Sequence, residues 1–319
     1  MTEVRVCQDW FPNEKNPEKS GFLMELNLKL QLDILLKNIR NDWDFTILIT
    51  GQGEVRVGKS MIAMQIAAYW TYQIWKLFGI VNPFNVEDNF IFEGDKLIKK
   101  GNELGKKHPF SAIVFDEAGA DLEGRKVMKG STQDVLDYFR ECGQYNLLNI
   151  LVLPEFFDLP KGIALSRSIF LIDVYYGSND VGIFQRGYYN FYSRRQKKWL
   201  YLKGKRDLNY KAAAYDFHGR YYKFFPIDEE KYRLAKQEAL SKRESKRRNK
   251  FMVQRDACWY LLCGEKQDKD INKGEKLFTQ RKLSDRMEQL TGIYVDHTVI
   301  SDALRRMKVE FEENDEEET

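Results

Sequence analysis

Short apolar runs alternate with longer amphipathic stretches over the first half of the chain. Short, uniformly apolar runs are typical of strands buried on both faces, and apolar positions at helical spacing predict helices between them. The predicted strands are 45–50 (FTILIT), 89–92 (NFIF), 111–115 (SAIVF), 147–153 (LLNILVL) and 169–176 (IFLIDVYY). The predicted helices are 22–40, 58–78, 94–107 and 132–143.

The alternation of strands and helices predicts an α/β fold, in which a parallel sheet is covered by helices on both faces. Residues 180–225 are rich in Tyr, Phe and Trp and predict two or three added strands, which we expect to be antiparallel. The predicted domains are an N-terminal arm and helix (1–40), the sheet domain with its added strands (41–228), a charged helical linker (229–250), a small helical domain (251–309) and an acidic disordered tail (310–319).

The segment GEVRVGKS (53–60) lies directly between a predicted strand and a predicted helix. Such a GxxxxGK[ST] loop wraps phosphates with backbone N–H groups at the start of a helix, so we expect Glu54 and Arg56 to point away from the phosphates. Lys59 would bridge the β- and γ-phosphates, and Ser60 would offer its hydroxyl to Mg²⁺. The sequence therefore predicts an ATP and Mg²⁺ site formed by Gly53, Glu54, Val55, Arg56, Val57, Gly58, Lys59, Ser60 and Met61.

An acidic pair follows the predicted strand 111–115. Asp116 stands at the carboxyl end of that strand, where it can hold Mg²⁺ through water, and Glu117 is suited to activating the attacking water. A Glu directly after the Asp favours hydrolysis by a motor or switch over small-molecule kinase chemistry.

At the end of the next strand, Glu155 occupies the position of a γ-phosphate sensor, with the mid-strand Asn149 less favoured. The alternative is that Glu155 is an exposed loop residue after Pro154.

Composition indicates which kind of partner the protein binds and where in the cell we expect it. The net charge is only +3, but Lys and Arg accumulate between Arg194 and Lys250, which suits either a polyanion partner or an ordinary solvated surface. No apolar run is long enough for a membrane span, and the four Cys have no zinc spacing, so we expect a cytoplasmic protein without zinc. In the basic and aromatic stretch 193–211, the DNA-binding candidates are Arg194, Arg195, Lys197 and Lys198. The alternative is a hairpin whose aromatic face packs on the core.

The C-terminal part predicts a helix-turn-helix, winged-helix-like domain built from three helical segments. Thr279 and Asp296 are suitable N-caps, and Thr291-Gly292 marks a turn. On the last segment an inward stripe is formed by Ile300, Leu304 and Met307. The residues left to face DNA are His297, Thr298, Ser301, Arg305 and Arg306. The alternative is a protein-docking role.

The motifs GEVRVGKS, IVFDEAG and FRECGQYNLLNILVLPEFFDLPKGIALSRSIFLIDV together resemble those of the HerA/FtsK superfamily of P-loop motor ATPases, including its Zot-like and viral packaging branches. The resemblance covers about residues 45–176. It implies a RecA-like, additional-strand sheet and a homo-oligomeric ring, typically a hexamer, in which an arginine reaches the neighbour's nucleotide. Arg140 is the first candidate for that role and Arg167 the second. In two respects the chain departs from the family: Glu155 replaces the usual Gln, and about three extra residues precede the strand.

These features favour an ATP-hydrolysing DNA translocase or packaging motor that moves or loads a viral or plasmid genome. The alternative is a DNA-binding regulator or replication loader, in which ATP acts as a switch. A third possibility is a degenerate nucleotide site used for scaffolding.

Overall fold

The computed structural model describes residues 2–54, 56–116, 118, 135, 137–139, 145–178, 180–246, 250–263, 279–291, 294–305 and 307. The chain divides into two compact units, Met1–Ala239 and Leu240–Thr319. None of the helices in these described ranges combines the length and the apolar character needed to cross a membrane.

The first unit begins with a small antiparallel pair of strands, β1 (Glu3–Val6) and β2 (Phe22–Glu25). Its main sheet consists of β3 (Phe45–Thr50), β4 (Phe90–Ile91), β5 (Ala112–Phe115), β6 (Leu148–Val152), β7 (Ser168–Ser178), β8 (Phe184–Tyr192) and β9 (Phe217–Arg220). The strand order is β4-β5-β6-β3-β7-β8-β9. The first five strands in that order run parallel, and β8 and β9 are added antiparallel. All five strands predicted in the parallel part are confirmed, and β6 lies between β3 and β5.

Helices cover both faces of this sheet. They are α1 (Leu26–Asn38), α2 (Lys59–Phe78), the single turn α3 (Val86–Asn89), α4 (Gly94–Lys107), α5 (Arg194–Gly204) and α6 (Glu229–Lys246). Alternation along β3 explains the two cores, since successive side chains of a strand point to opposite faces. Ile47 and Ile49 join the cluster that contains α1 and α2, whereas Leu48 joins the cluster that contains α4 and α5. The predicted mixed α/β class, with a mostly parallel sheet between helices, is therefore confirmed.

The predicted helix 22–40 is wrong over its first four residues, which form β2 instead. Glu25 ends the strand with extended backbone angles, and its carboxylate accepts a hydrogen bond from the backbone N–H of Leu28 at 2.9 Å. That bond satisfies one of the free donors at the start of α1, so the helix begins only at Leu26.

The hairpin considered for residues 193–211 is also wrong, because Arg194–Gly204 form helix α5, but Tyr201 and Tyr210 of this stretch do pack in the core. Its buried residues are Lys197, Leu200, Tyr201 and Gly204, which follow the i, i+3, i+4, i+7 spacing of one helix face. The predicted helix 132–143 falls mostly on residues outside those that the structure describes.

The second unit contains α7 (Lys250–Cys263), α8 (Gln280–Thr291) and α9 (297–305). Trp259, Leu283, Ile300 and Ala303 form its small core, with Leu304 packed against it and Met307 buried. The two predicted N-caps are confirmed: the Thr279 hydroxyl accepts from Lys282 N–H at 3.3 Å, and the Asp296 carboxylate accepts from Thr298 N–H at 2.8 Å. Gly292, in the predicted turn, lies outside the described residues.

Candidate nucleotide-binding site

The loop between β3 and α2 makes a tight turn with several residues in the left-handed region. Gln52, Gly53, Arg56 and Gly58 all have positive φ angles, of 54°, 76°, 61° and 104°. Such left-handed residues turn successive N–H groups toward one side, which makes a concave anion-binding surface. The backbone N–H of Gly53 donates to the carbonyl of Pro154 at 2.8 Å, so the loop is tied to the end of β6.

Gly58 is required where it stands, immediately before the first residue of α2. Its φ of 104° lies in a region that disfavours a side chain, and a Cβ at this position would collide with the hydroxyl of Tyr221. The same hydroxyl donates to the carbonyl of Val57 at 3.0 Å. Tyr221, which follows β9 in sequence, therefore supports the loop from behind.

Lys59 lies across the loop. Its Nζ donates to the carbonyl of Glu54 at 2.6 Å, and a Cβ on Gly51 would lie 3.0 Å from that Nζ. The ammonium group is thus held within the concave side of the loop, where a phosphate-binding lysine is expected. The side chain of Arg56 is exposed and that of Glu54 is half-buried, while Val55 lies outside the described residues.

Asp116 directly follows β5, and its side chain is only 1% exposed. Its Oδ2 accepts a hydrogen bond from the Oγ of Ser60 at 3.0 Å. The structure therefore brings together the two predicted metal residues, one from the first turn of α2 and the other from the end of β5. Two further donors reach the same Oδ2 from α6: the Nζ of Lys236 at 3.0 Å and the hydroxyl of Tyr232.

These residues fit the Mg²⁺ that the motifs imply. A hydroxyl and a carboxylate side by side are oxygen donors of the type that Mg²⁺ prefers. Within the described ranges, no group of three or more His, Cys, Asp or Glu side chains is placed to hold a metal, so the other ligands would be nucleotide phosphates and water. Glu117, the predicted water-activating residue, lies outside the part of the chain that the structure describes.

Glu155 lies beside the loop. Its Oε1 accepts from the hydroxyl of Tyr210 at 2.5 Å and from the backbone N–H of Phe157 at 3.2 Å. Its Oε2 is 3.8 Å from the point that a Cβ on Gly53 would occupy. Glu155 is half-buried, and these hydrogen bonds exclude a freely exposed loop side chain. Asn149 is buried within β6.

A second buried carboxylate, Asp173 of β7, stands next to the same loop. It pairs in register with Thr50, the last residue of β3, and its Oδ2 accepts from the Nε2 of Gln52 at 2.6 Å. Burial raises the pKa of Asp173 to about 7, opposed by hydrogen bonds from Gln52 and Asn190 and reinforced by the negative charge of Glu155. This carboxyl group thus changes its charge near neutral pH.

The two candidate arginine fingers are Arg140 and Arg167. Arg140 lies outside the described residues. Arg167 forms an ion pair with Asp44, with Nη2 and Oδ2 2.7 Å apart, at the amino end of β7.

The DNA-binding candidates on α5 separate into two groups. Arg194, Arg195 and Lys198 are exposed. Lys197 is fully buried, and its Nζ donates to the carbonyl and the hydroxyl of Ser168. Burial, with a smaller effect of the Arg194 charge, lowers the pKa of Lys197 to about 7. The prediction that Lys197 contacts DNA is therefore corrected, since its ammonium group faces the protein interior.

The candidates on α9 lie on the less buried side of that helix. Thr298 and Arg305 are exposed, and His297 and Ser301 are half-buried. Arg306 lies outside the described residues. Asp302, also exposed, has an oxygen 3.8 Å from Arg305 Nη1.

Sequence reasoning missed several residues that build the site: Gln52, Asp173, Tyr210, Tyr221, Tyr232 and Lys236. Most of them reach the loop, or the carboxylate of Asp116, from elements more than a hundred positions away in the chain. The one local signal was Asp173, a charged residue inside the apolar strand IFLIDVYY, because a carboxylate is rarely buried without a partner.

Solved structures that are similar to the chain include viral genome-packaging NTPases. One is B204 from Sulfolobus turreted icosahedral virus 2 in complex with ATP-gammaS, at 14% identity, 48% coverage of this chain, 94% of that chain and a TM-score of 0.32. Another is the crystal structure of B204, the DNA-packaging ATPase from Sulfolobus Turreted Icosahedral Virus, at 16% identity, 49% and 95% coverage and a TM-score of 0.32. No family model and no curated protein matches the chain. A function therefore has to come from the chain's own residues.

Proposed function

We propose that the protein is a Mg²⁺-dependent ATPase that works as an oligomeric DNA motor of the translocating or packaging type. The observation that carries the proposal is the meeting of Ser60 and Asp116, whose Oγ and Oδ2 atoms are 3.0 Å apart although 56 positions separate them in sequence. A loop hydroxyl and a strand-end carboxylate in contact are the pair that a P-loop site uses for its metal.

Each group of the site has a task in this reaction. The loop N–H groups and Lys59 bind the β- and γ-phosphates. Ser60 and Asp116 would hold Mg²⁺, which would supply positive charge to neutralise the phosphate oxygens. Glu117 accepts a proton from the attacking water, and Glu155 responds to the terminal phosphate through its position beside Gly53.

The motor role adds a ring and a DNA-binding surface. Arg140, or in second place Arg167, completes the site of a neighbouring copy. The exposed residues Arg194, Arg195 and Lys198 bind the DNA backbone through charge, independently of sequence. On α9, Thr298 and Arg305 engage the same substrate.

A switch is the second candidate, and the helices of the second unit favour it. α9 begins at a capped N-terminus with Thr298 and Arg305 exposed, an arrangement that suits a helix reading bases in the major groove. In this case ATP controls assembly, and the second unit selects one DNA site.

The test measures ATP hydrolysis and nucleotide binding for the wild type, Lys59→Ala and a matched control, Lys107→Ala, an exposed lysine of α4. We expect Lys59→Ala to abolish both activities and Lys107→Ala to leave them unchanged. Glu117→Gln should keep ATP binding and trap ATP-bound oligomers. If Lys59→Ala changed neither ATP hydrolysis nor nucleotide binding, the ATPase would be rejected and a scaffold favoured.

DNA separates the motor from the switch. A motor should hydrolyse ATP much faster with duplex DNA of any sequence, and its mass in solution should be that of a ring when ATP is present. A switch should hydrolyse ATP slowly with little stimulation and protect one sequence in a footprint.

A further inference from the structure

Three hydrogen-bond donors converge on one oxygen of Asp116. Ser60 comes from the phosphate loop, whereas Tyr232 and Lys236 come from α6, the helix predicted as a charged linker. We propose that Lys236 is a built-in cation of the nucleotide site, which competes with hydrated Mg²⁺ for the Oδ2 of Asp116. The proposal deepens the ATPase function above and rests on it.

Tyr232 fixes this part of α6 against the sheet. Its side chain is buried, and its ring packs on those of Phe90 and Phe92, with centroids 5.8 and 5.7 Å away. Lys236 follows one helical turn later, so both side chains lie on one face of α6. The contact of Lys236 with Asp116 is therefore fixed by the packing of the first unit. It is not an ion pair between two exposed, flexible side chains.

The two partners of the ion pair differ in their freedom to move. The side chain of Lys236 is 26% exposed, and that of Asp116 is 1% exposed. A buried carboxylate that loses its charged partner is destabilised, so Asp116 favours a cation beside it. The lysine ammonium, on a flexible stem that reaches solvent, can leave once another cation takes its place. Lys236, rather than Asp116, is thus the partner that moves away when Mg²⁺ binds.

Binding of Mg²⁺ and the contact of α6 with Asp116 are then thermodynamically coupled. Two cations at one carboxylate oxygen repel each other, so binding of Mg²⁺ with nucleotide disfavours the Lys236 contact, and the contact in turn lowers the affinity for Mg²⁺. α6 continues past Ala239, the last residue of the first unit, to Lys246. Release of Lys236 would therefore act on the segment of chain that joins the two units.

The first experiment titrates Mg²⁺ against binding of a fluorescent, non-hydrolysable ATP analogue to the full chain. We expect Lys236→Met to lower the Mg²⁺ concentration at half-saturation by roughly fivefold, as a coupling of ordinary ion-pair strength implies. Lys236→Arg keeps the cation and should stay close to the wild type. Lys231→Met, an exposed lysine on the same helix, serves as the matched control and should not change the midpoint.

The second experiment needs no variant, so it stands even if Lys236→Met folds poorly. The wild-type protein is treated with an amine-acetylating reagent, with and without Mg²⁺ and the ATP analogue, and the labelled lysines are quantified by mass spectrometry. We expect labelling of Lys236 to rise severalfold when Mg²⁺ and nucleotide are added together, whereas labelling of Lys231 stays constant.

The outcomes distinguish the two levels of the proposal. If the wild type binds the ATP analogue but Lys236→Met shares the Mg²⁺ midpoint of Lys231→Met, or if labelling of Lys236 does not rise, the competition is rejected and the ATPase function stands. Weaker binding in Lys236→Met would also reject the competition, because it would make Lys236 a phosphate ligand. If the wild type binds no nucleotide, both proposals fail.

Discussion

Two buried carboxylates of the same sheet, Asp116 and Asp173, differ in the groups that surround their negative charge. Asp116 follows β5 and receives donors from Ser60, Tyr232 and the ammonium of Lys236. Asp173 lies in β7 beside the end of β3; it receives an amide donor from Gln52, and Glu155 adds a negative charge. The first environment complements a negative charge, whereas the second raises the pKa to about 7 through burial. Burial alone therefore does not fix the role of a carboxylate; its donors do.

The largest effect is expected from Asp116→Asn. This change removes the anion that complements Mg²⁺ while it keeps the size of the side chain. Because a catalytic metal contributes several kcal/mol to the reaction, we expect ATP hydrolysis to fall about 100-fold or more. Steady-state phosphate release at saturating Mg²⁺ measures this.

Asp173→Asn is the matched control for that change, since it neutralises the other buried carboxylate. It should reduce hydrolysis far less than Asp116→Asn does. Equal losses in the two variants would contradict the division of roles, and would make Asp173 as important for the metal as Asp116.

The second prediction concerns stability and pH. The pKa of Asp173 is about 7 in the folded chain and about 4 in an unfolded one, so between these values the folded state binds more protons. The free energy of unfolding therefore decreases as the pH rises from 4 to 7, and ionised Asp173 is destabilising above pH 7. Asp173→Asn removes this penalty. We expect the advantage of the variant over the wild type to be roughly 2.5 kcal/mol larger at pH 8 than at pH 5, because most of the penalty builds up between these values.

Denaturant unfolding of both proteins at the two pH values measures the difference, and other titrating groups cancel in the comparison. The Asn side chain can still accept the hydrogen bond from Gln52. A gain of equal size at pH 5 and pH 8 would show that the carboxyl group does not titrate in this window.

The contrast between the two carboxylates also shows which parts of the site could be predicted from sequence. The strands β3 to β7, the loop and the meeting of Ser60 with Asp116 follow from local patterns: uniformly apolar runs, a contiguous GxxxxGKS motif and an acid at the end of a strand. In a parallel sheet all carboxyl ends lie at one edge, so the motifs are brought together once the strands are known.

The partners of the carboxylates could not be predicted in this way. Tyr232 lies 116 positions from Asp116 in sequence, and Gln52 lies 121 positions from Asp173. No spacing rule links such pairs. The stretch 229–250 is predicted as a charged helical linker because of its many charges, and one buried tyrosine in it does not change that pattern.

Lys197 illustrates a different limit. Its neighbours Arg194, Arg195 and Lys198 are exposed, and composition treats all four as one basic patch. The helical spacing of Lys197 with Leu200 and Tyr201 was the available signal, but it requires α5 to be predicted as a helix first. Because buried lysines are rare, a prediction from sequence places Lys197 at the surface.

The smallest expected effect tests the link between Asp173 and Glu155. The charge of Glu155 is one of the causes that raise the pKa of Asp173, behind burial. Glu155→Gln removes that charge and keeps an oxygen that can accept from Tyr210. We therefore expect the pKa of Asp173 to fall by a fraction of a unit, which moves the loss of stability to slightly lower pH. The pH dependence of the denaturant midpoint measures this shift.

The shift should vanish when Glu155→Gln is made in the Asp173→Asn background, because no titrating carboxyl group is then left to respond. A shift of the same size in that background would mean that Glu155 acts on another group. If the shift does vanish, the charge of Glu155 acts on Asp173 itself. A triphosphate bound in that loop would then raise the pKa of Asp173 further, so nucleotide binding would be accompanied by proton uptake near neutral pH.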